Sequence, residues 1–240
     1  MKKTLLILLT LLCAVSFSAV AGGQQDDGKL IIASDCTWPP MEFINADKEI
    51  VGYDIDFINA VAKEAGIEIE IRNTAWDGIF AALANGECDA VISSVTITED
   101  RKKTMDFSIP YINAGQVLIV DSSSSAKVLA DLAGKEVGAQ IGTTGAIEID
   151  NSPAELKTYD ELGFAIEDLA NGRIAGVVAD TPIAADYVLQ NDTYKGKLVI
   201  VGDSFTDEYY GIAVKKGNTE VLDLINKGVK AVQDNGIDKE

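Results

Sequence analysis

No histidine occurs anywhere in the 240 residues. The usual general base, the commonest metal ligand and the one side chain whose ordinary pKa lies between pH 5 and 8 are therefore missing together. Positive charge is scarce as well: 20 Lys and Arg stand against 38 Asp and Glu, for a formal net charge of −18. That balance argues against a nucleic-acid partner, whose phosphates need clustered cations. It mildly favours cationic ligands, although salt screens the field within ~10 Å. The Gly-x-Ser-x-Gly elbow, the P-loop, the Cys-x-x-Cys pair and the EF-hand loop are all absent, which removes the usual signatures of nucleophilic, nucleotide and metal chemistry. No cofactor and no metal are expected.

Long apolar runs are lacking too, with one exception at the start. Met1-Lys-Lys, the apolar segment from Leu5 to Val15 and Ala19-Val20-Ala21 form the pattern of a secretory signal with a small-x-small cleavage site. Residues 1–21 are read as a cleavable signal peptide. Cys13 interrupts the apolar run rather than ending it, and Leu12 is too bulky for a lipobox, so a soluble exported protein is expected rather than a lipid-anchored one. Beyond it nothing approaches the ~18 consecutive apolar residues of a membrane span. Losing Lys2 and Lys3 with the signal takes the net charge from −18 to −20. Only Cys36 and Cys88 remain; one follows a strand and the other precedes its parallel neighbour, too far apart for the ~7 Å between Cα atoms that a disulfide tolerates.

From Lys29 onward strand and helix patterns alternate. Leu30 to Ser34 reads as a buried strand, Asp54 as the cap of a helix carrying Phe57, Ile58, Val61, Ala62 and Ala65, and Gly66 as its stop. Ile67 to Arg72 alternates with period two, Asp77 opens a helix whose inner face is Ile79, Phe80 and Leu83 and which Gly86 ends, and a strand begins at Asp89; toward the end of the chain Tyr210 to Lys216 reads as a strand and Thr219 to Gln233 as a helix. This rhythm predicts mostly parallel sheets flanked by helices. The chain also repeats: LANGECDAVISS at 83–94 matches LANGRIAGVVAD at 169–180, and GKLIIAS at 28–34 matches GKEVGAQ at 134–140. Two α/β lobes on one plan follow. The breaks at 113–115 and 202–208 make the first lobe discontinuous (28–112 and 208–240), with a second lobe over 113–207 and a hinge of two crossing segments.

Ligands of open parallel sheets bind beyond the carboxyl ends of the strands. Falling there are residues 35–38, 93–96, 141–145 and 180–182, which include Asp35, Ser93, Ser94, Thr96, Ile141, Thr143, Thr144 and Asp180. Arg101 follows Thr98, Glu99 and Asp100, an N-cap and acidic first turn, and so faces the positive end of a helix dipole. Either those two acids neutralise it or it awaits an anionic ligand. Hydroxyls, freed amides, two aspartates and an arginine suit a small zwitterion, with Arg101 taking a carboxylate and Asp180 with Thr96 an ammonium. Trp38 and Trp76 either pack under loops or wall a ligand side chain, adding roughly 0.5–2 kcal/mol for a cationic one. With no histidine, affinity is expected to be nearly flat from about pH 5.5 to 7.5.

Six segments together resemble the polar amino-acid solute-binding proteins of ABC importers: DCTWPPMEF (35–43), VGYDID (51–56), AVISSVTITEDR (90–101), DFSIPY (106–111), IGTTG (141–145) and ADTP (179–182). The resemblance covers about Lys29 to Gly236. It implies a two-lobed periplasmic binding fold of type II, monomeric and periplasmic, that closes on an L-amino acid and presents it to a membrane permease. It further implies that Arg101, helped by Thr144, grips the α-carboxylate, that Ser94, Thr96 and Asp180 hold the α-amino group, and that Trp38 and Trp76 flank the side chain. Asp35 beside the tryptophans favours arginine or lysine as ligand, with glutamine the alternative. An enzyme on this scaffold, such as a cyclohexadienyl dehydratase, and the sensor domain of a receptor are the rivals. Family members usually continue past the position of Gly236 with a further helix, which leaves open a truncated chain or a first lobe short of one packing element.

Overall fold

Short runs of Val, Ile, Leu and Ala separated by Gly-stopped amphipathic helices build the two sheets of the computed structural model, which describes residues 28–239. The signal peptide expected over 1–21 lies outside the described residues. In chain order the first elements are β1 (Leu30–Ser34), β2 (Thr37–Trp38), β3 (Glu42–Ile44), β4 (Ile50–Val51), α1 (Tyr53–Ala65), β5 (Ile69–Asn73), α2 (Trp76–Asn85), β6 (Ala90–Val91), β7 (Met105–Phe107) and β8 (Ile112–Ala114). There follow β9 (Gln116–Asp121), β10 (Glu136–Gln140), α3 (Thr144–Asp150), β11 (Glu155–Tyr159), α4 (Leu162–Ala170), β12 (Gly176–Asp180), α5 (Thr181–Ala185), β13 (Leu198–Val201), β14 (Glu208–Tyr210), β15 (Ala213–Lys215) and α6 (Thr219–Asp234).

The sequence repeat becomes a repeat of topology. One sheet runs β5-β1-β6-β15-β7 and the other β11-β10-β12-β9-β13. In each, the first two pairings are parallel and the last two antiparallel. A single reversed strand, β15 or β9, thus sits in an otherwise unidirectional sheet. The matched segments 28–34 and 134–140 carry β1 and β10, and 83–94 and 169–180 carry β6 and β12. Helices cover both faces of each sheet. In the first lobe Ile58 and Val61 of α1 meet Ile225 and Val229 of α6, while Ile79 and Leu83 of α2 pack near Val91 and Ala213 on the opposite face. In the second lobe Leu162, Ile166 and Leu169 of α4 join one cluster, and Ala146 and Ile149 of α3 join Leu118 and Val137 in another.

Between the sheets the chain crosses twice, and the crossings pair with each other. β8 lies antiparallel to β14, with Ile112 opposite Tyr210 and Ala114 opposite Glu208. Gly115 follows directly, and a Cβ there would come within 2.1 Å of the Thr206 carbonyl oxygen. Only glycine lets the returning strand approach so closely.

Two local expectations are corrected. Asp54 does not cap α1: Gly52 holds that place at φ 128°, where a Cβ would meet the Met41 carbonyl at 2.3 Å, and Asp54 is instead buried inside the first turn. The single strand expected from Tyr210 to Lys216 is broken at Gly211-Ile212 into β14 and β15, because it serves the hinge before entering the first sheet.

Candidate functional site

The parallel strands of both lobes end at one cleft. β1 delivers Asp35, β6 the turn holding Ser93, Ser94 and Thr96, β10 Gln140 and the loop to α3, and β12 Asp180. The structure gathers Asp35, Trp38, Trp76, Ser93, Ser94, Thr96, Arg101, Thr143, Thr144 and Asp180 around a single small cavity between the lobes. Ile141 is the exception. Its side chain is exposed, and only its carbonyl takes part, accepting the Trp76 Nε1–H at 2.9 Å.

Arg101 opens a single turn of 3-10 helix rather than an α-helix, with its backbone N–H donating to Thr98 Oγ1 at 3.1 Å. The neighbouring acids turn elsewhere: Glu99 pairs with Lys102 and Asp100 with Lys103. Among the described residues no carboxylate forms an ion pair with Arg101. Its guanidinium donates to the Thr96 carbonyl at 2.8 Å and to the Gly142 carbonyl at 3.1 Å, and its Cζ lies 5.5 Å from the Trp76 ring and 5.3 Å from that of Phe80. Two of five guanidinium N–H groups are thereby used, and the group lies against both rings, which touch each other edge to face with centroids 4.9 Å apart. Burial lowers its pKa, opposed by Asp180 and Glu208, yet an arginine stays charged throughout.

Carboxyl groups surround the rest of the cavity, and burial raises the pKa of Asp180, Asp35, Glu42 and Asp54. Asp180 is pushed up to about 7, by desolvation first and the nearby Glu208 second, against Gln116, whose Nε2 donates to it. Asp35 is also raised by burial, while accepting from Gln140 Nε2 at 3.1 Å and Thr37 Oγ1 at 3.0 Å. Glu42 is fully buried, held protonated by desolvation and by Asp54, with which it shares a hydrogen bond. Asp54, at about 6, accepts the Ser94 backbone N–H at 2.7 Å and the Tyr111 hydroxyl at 2.9 Å. Ser94 takes a positive φ of 49°, unusual for a side chain of its kind; Asp54 holds it there. The flat pH profile expected from the missing histidine is therefore corrected: a buried aspartate beside a second carboxylate titrates near neutrality without any imidazole. Cys36, pushed up to about 11 by burial, adds nothing in that range.

Glu42, Gln116, Gln140 and Glu208 were not among the residues singled out in the sequence, and Phe80 was read there only as part of a helix's inner face. Glu42 stands inside the segment 35–43, and Gln140 ends a strand like the others, so position alone could have found both. Glu208 and Gln116 carry no such mark, since they reach the cleft from the hinge.

Two lobes joined by a paired-strand hinge, closing on an enclosed polar cavity with one cation held ready, define a hinged receptor for a small charged molecule. The chain belongs to the bacterial extracellular solute-binding proteins, family 3, whose model matches residues 30–239, and its fold is that of type II periplasmic amino-acid-binding proteins. It is 34% identical to a probable histidine-binding protein of Neisseria gonorrhoeae, over 98% of this chain and 92% of that one. It is 33% identical to the L-cystine-binding protein TcyJ of Escherichia coli (strain K12), over 88% and 80%. The crystal structure of the arginine-, lysine-, histidine-binding protein ArtJ from Geobacillus stearothermophilus superposes with a TM-score of 0.83 at 35% identity, over 88% of this chain and 91% of that one. Among the described residues no helix is long and apolar enough to cross a membrane.

Proposed function

We propose that the protein is the periplasmic receptor of an ABC importer, capturing an L-amino acid with a cationic side chain by lobe closure and presenting it to the permease. The observation that carries this reading is Arg101, a cation lying against the Trp76 and Phe80 rings at the cleft with no carboxylate paired to it among the described residues. Its free N–H groups take the ligand α-carboxylate, Asp180 and Thr96 take the ammonium group, and the side chain runs between Trp38 and Trp76 toward Asp35. The lobes that close are residues 28–112 with 208–240 and residues 113–207. The names of relatives that bind histidine, arginine and lysine support the basic side chain, while the cystine-binding relative supports only the zwitterion. A glutamine reading has one observation of its own: the Gln140 amide spends its two N–H groups on Asp35 and the Asp160 carbonyl, which leaves its carbonyl oxygen to accept from a ligand carboxamide.

Binding rather than turnover is proposed because Glu42, the buried carboxyl at the cavity whose pKa burial raises well above the ordinary value, is engaged by Ser93 and Asp54. Incubation with prephenate or arogenate should leave both unchanged; formation of the aromatised product would establish a dehydratase. A thermal-shift screen of the twenty amino acids tests the ligand. At 100 times its dissociation constant the true ligand stabilises by roughly 2.7 kcal/mol, and arginine or lysine should give the largest shift. No shift with any amino acid would refute the proposal.

A further inference from the structure

Glu208 stands on β14, in the hinge, yet its side chain reaches groups of both lobes. Its Oε2 accepts the Thr96 hydroxyl at 3.0 Å and the Thr144 hydroxyl at 2.7 Å, with Gln116 Nε2 at 3.4 Å. Its Oε1 accepts the Thr206 hydroxyl at 2.8 Å. The backbone fixes this placement: Ile97 N–H donates to the Tyr209 carbonyl at 2.8 Å and Gly211 N–H to the Val95 carbonyl at 3.0 Å, so Thr96 is sewn directly onto the strand that carries Glu208.

The consequence lies in the polarity of the two hydroxyls. A hydroxyl has one hydrogen and two lone pairs, and an ionised carboxyl can only accept. Once Thr96 gives its hydrogen to Glu208, its oxygen can meet the cavity only as an acceptor, which suits an ammonium group and repels a carboxylate. Thr144 likewise has no hydroxyl hydrogen left for the ligand, and its oxygen already accepts from Gln116 Nε2 at 3.1 Å. We infer that Glu208 is a positioning residue that sets the hydrogen-bond polarity of the cleft, reserving the Thr96 oxygen for the ligand's α-ammonium group. Because Thr96 belongs to the first lobe and Thr144 to the second, the same oxygen of Glu208 fixes that polarity only when the lobes are together. The inference rests on the amino-acid reading above and adds a residue to it that does not line the cavity.

The test is a calorimetric double-mutant cycle with two probes, L-arginine and its des-amino analogue 5-guanidinopentanoate. Glu208→Met, close in size but without an acceptor, should weaken L-arginine at least tenfold and the analogue less than threefold. Glu208→Gln keeps an acceptor oxygen and should return L-arginine to within threefold of wild type. Thr96→Val should lose the same selectivity, and Glu208→Met added to it should cost no more than a further twofold. Equal losses for both probes, full additivity in the cycle, or a Glu208→Gln variant as weak as Glu208→Met would each overturn the inference. Should Glu208→Met fail to fold, Thr96→Val and Glu208→Gln still decide it: loss of selectivity in the first with rescue in the second supports the role, and unchanged selectivity in Thr96→Val removes it. A wild-type protein that binds neither L-arginine nor any other amino acid refutes the ligand class instead, while firm wild-type binding with additive variants refutes the role of Glu208 alone.

Discussion

The role proposed for Asp180 would tie ligand capture to pH. In the free protein burial and Glu208 lift it to about 7, and a ligand ammonium placed against it favours the ionised form, so its pKa falls on binding. The form that binds is the deprotonated one; affinity is therefore full above about pH 7 and declines as pH drops below it, until the bound-state pKa is passed. Titrations in buffers of different ionisation enthalpy should show protons released on binding near pH 6.5, with affinity falling several-fold between pH 7.5 and 5.5. Zero exchange or net proton uptake would contradict the assignment of the ammonium to Asp180. Side-chain selectivity is proposed to rest on Asp35. Asp35→Asn should weaken arginine or lysine at least tenfold while changing glutamine less than threefold, and an equal loss for all three would leave Asp35 a support for its loop. At this scale the sequence revealed groups whose place follows from a strand end, such as Asp35 and Asp180. It concealed those made by distant pairings: Thr96 meets Glu208 across 112 residues and Asp35 meets Gln140 across 105, separations that no local pattern encodes.

Elements were legible wherever one physical rule dominated. The left-handed glycines 66 and 86 end α1 and α2 as expected, and α6 spans 219–234 on a strict amphipathic face. The two-residue strands β2 and β4, and the break between β14 and β15, were not legible, because such short strands exist only through their partners and carry no periodicity of their own. Helix packing supplies a prediction here. Gly228 of α6 lies against α1 so closely that a Cβ would come within 2.3 Å of the Val61 carbonyl oxygen. Backbone cannot yield as a side chain can, so Gly228→Ala should destabilise the first lobe by about 1–3 kcal/mol, the usual cost of overpacking. At roughly 2–4 °C per kcal/mol for a chain of this size, scanning calorimetry should find the melting temperature lowered by several degrees. An unchanged melting temperature would mean that the two helices slide apart freely.

Across the whole molecule, the side chains proposed to contact the ligand are also ones that join the lobes. Trp76 donates to the Ile141 carbonyl, Arg101 to the Gly142 carbonyl and Gln140 to Asp35, each joining one lobe to the other at the cavity wall. On the proposed reading closure and recognition are one event, because groups that hold the lobes together are among those proposed to hold the amino acid, while the paired strands β8 and β14 join the lobes at the hinge. The repeated plan of the lobes could be read from two matched segments, whereas the acidic wall around one arginine needed the fold to assemble it. Arg101 is the residue on which the account stands, and calorimetric titration of L-arginine into wild-type protein and Arg101→Ala at pH 7.5 tests it most directly. Removing one partner of a desolvated charge pair costs ~2–5 kcal/mol, so the wild type should bind one equivalent saturably and the variant at least thirtyfold more weakly. A variant that binds within threefold of wild type would contradict the account.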